Sequence, residues 1–183
     1  MDRRQRKTRQ AIFAAFSQLL NEKDFSKITA GEIMERADVG RATFYAHFET
    51  KDFLLKELCE ELFCHIFDMA GEGKSEHRHI FECSAPQSEF VHLFSHLRKN
   101  DNNVLCLLSS PNNHLFLKYF KSGLKLLVES RLDLFEKRKS EKLPEQFWIN
   151  HILSTFVETL QWWIENGMRE SEEEICEYFF LAV

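Results

Sequence analysis

Glycine and proline are scarce in this chain, six and three among 183 residues. Long helices tolerate few of either, because glycine weakens a helix interior and proline breaks it. No charge-free stretch approaches the roughly 18 residues of a membrane span, which excludes a spanning helix. The basic start, MDRRQRKTRQ, runs straight into an amphipathic pattern with no signal-peptide core or cleavage site, so a cytoplasmic protein is expected. The five cysteines, at 59, 64, 83, 106 and 176, form no C-x-x-C pair. Their odd count fits poorly with a disulfide framework, and in the cytosol they are expected free and reduced. There is no nucleophile elbow, phosphate loop or H-E-x-x-H, and the Ser, His and Asp residues form no recognisable array, so an enzyme is not expected. No internal repeat and no strand-like alternation is visible.

What remains is 44% hydrophobic, 29% charged and 13% aromatic, with 18 Phe, more than a plain helical bundle needs. The length can bury a real core. The net charge of −5 is uneven: residues 1–51 hold ten Lys/Arg against seven Asp/Glu, and residues 52–183 hold fourteen against twenty-two. A basic end on an acidic body suggests a contact surface for nucleic acid.

That basic end contains TAGEIMERADVGRATFYAHFETK, residues 29–51. Thr29 and Glu32 make a T-x-x-E capping box that starts a helix. Ile33, Met34 and Ala37 give it one apolar face. Asp38 stands where the chain turns and tolerates left-handed backbone. Val39 plugs the angle, and Gly40 opens a second helix carrying Ala42, Phe44, Tyr45 and Phe48. Two short helices joined by a tight turn read as a helix-turn-helix. The second helix offers Arg41, Ala42, Thr43 and Tyr45 to base edges. Arg41 suits a guanine, and Ala42 and the Thr43 methyl suit a thymine methyl. Tyr45, His47, Thr29 and Lys51 suit phosphate. Phe44 and Phe48 are expected in the core.

On these residues the stretch resembles the DNA-binding segment of the TetR family of transcriptional regulators. The likeness lies in Ile28-Thr29, Glu32-Ile33, Glu35-Arg36-Ala37, Val39, the T-F-Y-x-H-F-x-x-K string and Lys51. It departs at Gly31, where many relatives carry a longer polar side chain, and at Gly40, where many have a capping residue such as Ser. The resemblance implies an all-α fold, with a DNA-binding head over residues 1–49 and a helical regulatory and dimerisation body over 50–183. It also implies a homodimer on a double-stranded, near-palindromic operator.

Along the chain, helical spacing predicts a first helix over 8–22, with Arg3, Arg4, Arg6, Lys7 and Arg9 as a flexible phosphate-binding arm. Further helices are predicted over 51–70, 86–100, 102–110, 112–139, 144–166 and 171–182, about nine in all. Gly71 and Gly73 are expected to end the helix over 51–70, with a polar segment over 74–85. Gly167 is the expected cap of the penultimate helix, and Ser171 with Glu174 opens the last. The last two helices are apolar on more than one face, which needs two partners. Residues 155–183, with W-W-I-E-N-G-M, resemble the C-terminal end of one TetR branch. The resemblance places Phe156, Leu160, Trp163, Ile164, Ile175, Tyr178 and Phe179 in a four-helix dimer interface.

In the body, TetR-like proteins hold a small-molecule pocket, and the surplus aromatics Phe63, Phe67, Phe90, Phe94, Phe116, Phe120, Phe156 and Trp162 are its candidates. They imply an apolar or aromatic effector. His92 and His96 stand at i, i+4, which is metal-ligand spacing. Glu76, His77, His79, Glu82 and Cys83 lie nearby in sequence, but no motif fixes a third ligand. Helical His pairs are ordinarily surface residues, so no metal or other cofactor is expected. Cys59, Cys64 or Cys106 as oxidant sensors are equally secondary. Two other classes remain open: a TetR-fold coactivator or partner-binding protein with a repurposed head, and a small helical enzyme or metal-binding bundle.

Overall fold

The structure is a computed structural model that describes residues 3–70, 88–99, 104–108 and 113–183. Among the described residues it is all-helical. Nine α-helices follow in order: α1 (Arg3–Glu22), α2 (Ala30–Arg36), α3 (Arg41–His47), α4 (Lys51–Ala70), α5 (Glu89–Lys99), α6 (Val104–Leu108), α7 (His114–Ser130), α8 (Glu145–Glu165) and α9 (Glu172–Ala182). Among the described residues, 3-10 turns punctuate them at Phe25–Lys27, Leu132–Leu134 and Glu136–Arg138. None of the helices is long and apolar enough to cross a membrane. The expected helix end at Gly71 and Gly73, and the polar segment after it, lie outside the described residues.

The local signals in the head act as the sequence suggests. Thr29 accepts from the Glu32 amide at 3.3 Å while the Glu32 carboxylate accepts from the Thr29 amide at 2.9 Å, so α2 opens on a complete capping box. Asp38 takes φ 52°, which lets the chain reverse between α2 and α3. Phe44 and Phe48 are fully buried with Ile12, Phe13, Phe16 and Ile33. The Phe13 and Phe48 rings meet edge-on at 5.5 Å.

In the body α4 packs on α7, α7 on α8, α8 on α9, and α9 on α5. Gly123 of α7 makes the first of these contacts possible. A Cβ there would fall 2.1 Å from the Phe63 ring of α4, inside any permitted contact. At the far end of α8, Gly167 at φ 76° and Met168 at φ 51° reverse the chain. The Met168 amide donates to the Trp163 carbonyl at 2.8 Å and the Gly167 amide to that of Ile164 at 3.0 Å, the Schellman pairing that satisfies carbonyls at a helix end. Ser171 and Glu174 then cap α9 reciprocally.

Two predicted bounds change. The first helix begins at Arg3, so the basic segment is helical rather than a flexible arm. The helix predicted over 112–139 stops at Ser130, whose hydroxyl donates back to the Leu127 carbonyl at 2.8 Å. Beyond it the chain winds into 3-10 turns that bring Phe135 inward, stacked on Phe180 at 5.3 Å and edge-on to Phe90 at 5.8 Å.

Candidate nucleic-acid interface

Helix α3 has two faces. Phe44 is sealed in the core, while Arg41, Ala42, Thr43 and Tyr45 stand in solvent, Tyr45 with 46% of its surface exposed. The Tyr45 ring is braced edge-on by Phe44 at 5.4 Å, so it projects from a fixed base. His47 is half-buried beside Phe48. Gly40 precedes the helix in extended backbone and leaves its first amides unblocked by any side chain.

The basic residues divide into two groups. Arg9 donates to Glu57 at 2.5 Å and Glu61 at 2.9 Å, and its guanidinium lies over the Phe13 and Phe48 rings at 4.9 and 5.2 Å. It therefore clamps α1 to α4 and is not part of a basic arm. Lys23 pairs with Glu32 and Arg36 with Glu22, tying α2 to α1. The second group, Arg3, Arg4, Arg6, Lys7 and Arg41, is exposed and has no ion-pair partner among the described residues. The uncommitted positive charge of the head is thus concentrated on the first turns of α1 and at the start of α3.

Two residues expected on phosphate are already engaged. The Lys51 ammonium donates to the carbonyls of Phe25 at 2.9 Å, Ile28 at 2.8 Å and Ser26 at 3.4 Å, and sits 4.5 Å from the Phe25 ring. An ammonium has three donors, and here all three fasten the α1–α2 connection to the start of α4. The Thr29 hydroxyl donates to Glu32 at 2.9 Å and accepts from its amide, so it serves the cap. Lys23, with the Thr29 amide and hydroxyl, holds the Glu32 carboxyl down at about 2. These partners keep it ionised as the cap requires.

In the body the surplus aromatics divide between core and pocket walls. Phe90, Phe94, Phe116, Phe120 and Phe156 are buried against one another. Phe94 stacks on Phe156 at 4.8 Å, and Phe116 on Phe120 at 5.5 Å. They form the core. Phe63 and Phe67 do border a cavity of about 280 Å³ between α4 and α7, with Cys59, Tyr119 and Leu126. Trp162 borders a separate groove between α8 and α9, together with Thr155, Glu158 and Tyr178.

The dimer residues also divide. Phe156, Leu160, Trp163, Ile175 and Phe179 are fully buried within the single chain. They hold α8 and α9 together and onto α5, and so cannot meet a second subunit directly. Ile164 is half-buried. The outer face is Trp162, Tyr178 and Leu181, 44%, 45% and 69% exposed. Leu181 stands three residues beyond Tyr178, which puts both on one side of α9.

The cysteine and histidine expectations resolve in the same way. Burial pushes the Cys59 thiol far above its ordinary range and that of Cys176 up to about 12, which makes both poor nucleophiles. Cys64 is exposed. His92 and His96 are buried, contrary to the surface placement expected of them, and His65 of α4 joins them. Desolvation first, then the neighbouring His96 and His65, pushes His92 down to about 3 and keeps it neutral. Glu76, His77, His79, Glu82, Cys83 and the side chain of Cys106 lie outside the described residues.

A helix-turn-helix with an exposed second helix, followed by a bundle of longer helices, is the frame of a DNA-binding transcriptional regulator. Residues 12–58 match the family model for bacterial regulatory proteins of the tetR family. Residues 84–182 match that for a transcriptional regulator C-terminal region. A solved TetR transcriptional regulator from Streptococcus agalactiae 2603V is 37% identical and superposes with a TM-score of 0.74, over 98% of this chain and 95% of that one. A solved protein of Syntrophomonas wolfei str. Goettingen, described as a TetR-family regulator, shares the fold at 20% identity and TM-score 0.67, over 96% and 92% of the two chains. An HTH-type regulator of Bacillus subtilis strain 168, YxbF, is 32% identical over 114 residues, which are 62% of this chain and 26% of that protein. The match thus spans about a quarter of the length of this curated relative. The chain belongs to the TetR family of transcriptional regulators.

Proposed function

We propose that this regulator is a ligand-responsive homodimeric repressor of a near-palindromic operator, working in the cytoplasm. Residues 1–49 are its reading head and 50–183 its sensing and pairing body. The observation that carries this reading is the exposed face of α3: Arg41, Ala42, Thr43 and Tyr45 in solvent above a buried Phe44. Arg41 bonds a guanine bidentately, worth about 1–3 kcal/mol of discrimination. Ala42 and Thr43 touch thymine methyls. Tyr45 and His47 steady the phosphates, and Arg3, Arg4, Arg6 and Lys7 add charge. Two heads reach successive major grooves when they stand about 34–36 Å apart. The exposed Trp162, Tyr178 and Leu181 on the α8–α9 pair support pairing through that face. The cavity between α4 and α7 supports a small apolar or aromatic effector. Such an effector releases the operator only if it binds the DNA-incompetent arrangement more tightly than the competent one.

The test is the double variant Arg41→Ala/Tyr45→Ala. It is expected to lose operator affinity by at least about fivefold from Arg41 alone, with helicity and oligomeric state unchanged. Unchanged operator affinity in the double variant would remove α3 from the reading surface.

A further inference from the structure

Three histidines are the buried polar residues among the described ones: His65 of α4 at 4% exposure, and His92 and His96 of α5 at 2% each. Nothing in the DNA-reading head or the effector cavity uses them. The His92 and His96 Nε2 atoms are 2.9 Å apart. The ring of His65 lies 5.0 Å from that of His92 and 4.8 Å from that of His96. Each residue offers one ring nitrogen, and the three nitrogens lie within 4.8 Å of one another. An i, i+4 pair shares one face of α5, and α4 supplies the third ring across the contact between the two helices.

We propose that His65, His92 and His96 form a binding site for a divalent first-row transition ion of the zinc class. Zinc–imidazole bonds of about 2.0–2.1 Å at tetrahedral angles place ligand nitrogens about 3.3 Å apart. The His92–His96 pair needs to open by a few tenths of an ångström, and His65 to close by no more than about 1.5 Å. Imidazole nitrogens suit zinc, copper, nickel or cobalt and not magnesium or calcium, which take oxygen ligands. Three neutral ligands leave the fourth tetrahedral position to water or an anion, which also offsets the charge of the ion.

The site joins α5 to the helix whose first turn is fastened to the head through Lys51 and whose second is clamped by Arg9. An ion held there fixes the pose of α4 relative to α5. Occupancy therefore changes operator affinity, a step that rests on the DNA-reading function proposed above.

The test starts from the full chain stripped with a chelator, titrated with Co²⁺ in the absence of DNA and then back-titrated with Zn²⁺. One Co²⁺ per chain, with tetrahedral visible bands that zinc abolishes and a raised thermal midpoint, is the expected result. His65→Gln, His92→Gln and His96→Gln each weaken binding by at least about tenfold, while His151→Gln, on an exposed stretch of α8, leaves it unchanged. Absence of stoichiometric binding by the wild-type chain overturns the site and leaves a hydrogen-bonded histidine trio. So does full affinity in the triple variant. Should a variant fail to fold by circular dichroism, the wild-type titration decides alone. Operator affinity is measured separately with and without Zn²⁺. A stoichiometric ion with no change in that affinity overturns the coupling and keeps the site.

Discussion

In and beside the head, Arg41 and Tyr45 stand in solvent while Arg9, Lys23, Arg36 and Lys51 are each held by a carboxylate or a row of carbonyls. In the body the arrangement is inverted. Rings such as Phe94, Phe156 and Phe179 are sealed inside, and the polar histidines are sealed with them. The head spends its charges on keeping a small scaffold rigid and leaves a few free at one surface. The body gains its rigidity from aromatic packing and keeps its chemistry internal. A basic residue in the motif is therefore no guide to DNA contact by itself, and an aromatic surplus is no guide to a ligand pocket. What decides in each case is the partner that folding supplies.

The contrast can be broken most sharply at the cores. Phe156→Ala in the body and Phe44→Ala in the head each empty a fully buried ring site, at an expected cost of about 3–5 kcal/mol. Chemical denaturation should register both losses. Hydrogen exchange should place the first in α5, α8 and α9 and the second in α1–α3. Protection lost evenly across the chain would mean that the two regions are one unit.

Lys51→Met comes next. Removing a donor to three carbonyls should lower the stability of the head by about 1–3 kcal/mol, seen in thermal melts. The slope of operator affinity against salt should stay as it is. A slope shallower by about 0.9 would place Lys51 on a phosphate instead.

Two glycines separate the regions with opposite signs. Gly123→Ala drives a methyl into the Phe63 ring and should destabilise the body by about 1–3 kcal/mol. Gly31→Ala meets only the Thr29 hydroxyl, at 3.8 Å, and should stabilise α2 by about 1 kcal/mol. Equal signs in denaturant titrations would contradict the packing described.

The smallest effect is in acid. The Glu32 carboxyl is lowered to about 2 by Lys23 and the Thr29 amide and hydroxyl. Its contribution is complete above the ordinary carboxylate value of about 4.3 and fades as pH falls through about 2. Glu32→Gln should therefore flatten the acid dependence of amide protection in α2 and leave that of α9 untouched.

The head was legible in the sequence because its signals are local. Thr29 and Glu32, Asp38, Gly40, and the alternation of Phe44 and Phe48 with Arg41 and Tyr45 act within a few residues of themselves. In the body the caps at Gly167 and Ser171 were legible for the same reason. What was not legible depends on meetings across the chain. Arg9 finds Glu57 and Glu61, Lys51 finds Phe25 and Ile28, Gly123 finds Phe63, and His65 finds His92 and His96. Helical spacing carries no information about which face meets which. The end of α7 at Ser130 was hidden for a related reason: Phe135 continues the helical pattern, yet it packs on Phe90 and Phe180 from a 3-10 turn.

The central claim is that the exposed face of α3 reads operator DNA. Its most direct test is selection from random duplex DNA by the wild-type chain, followed by titration of the enriched duplex at several salt concentrations. A two-fold symmetric consensus, with an affinity that falls steeply with salt by about 0.9 per phosphate neutralised, is the expected result. No enrichment over the starting pool, or a consensus bound equally well by Arg41→Ala/Tyr45→Ala, would contradict it.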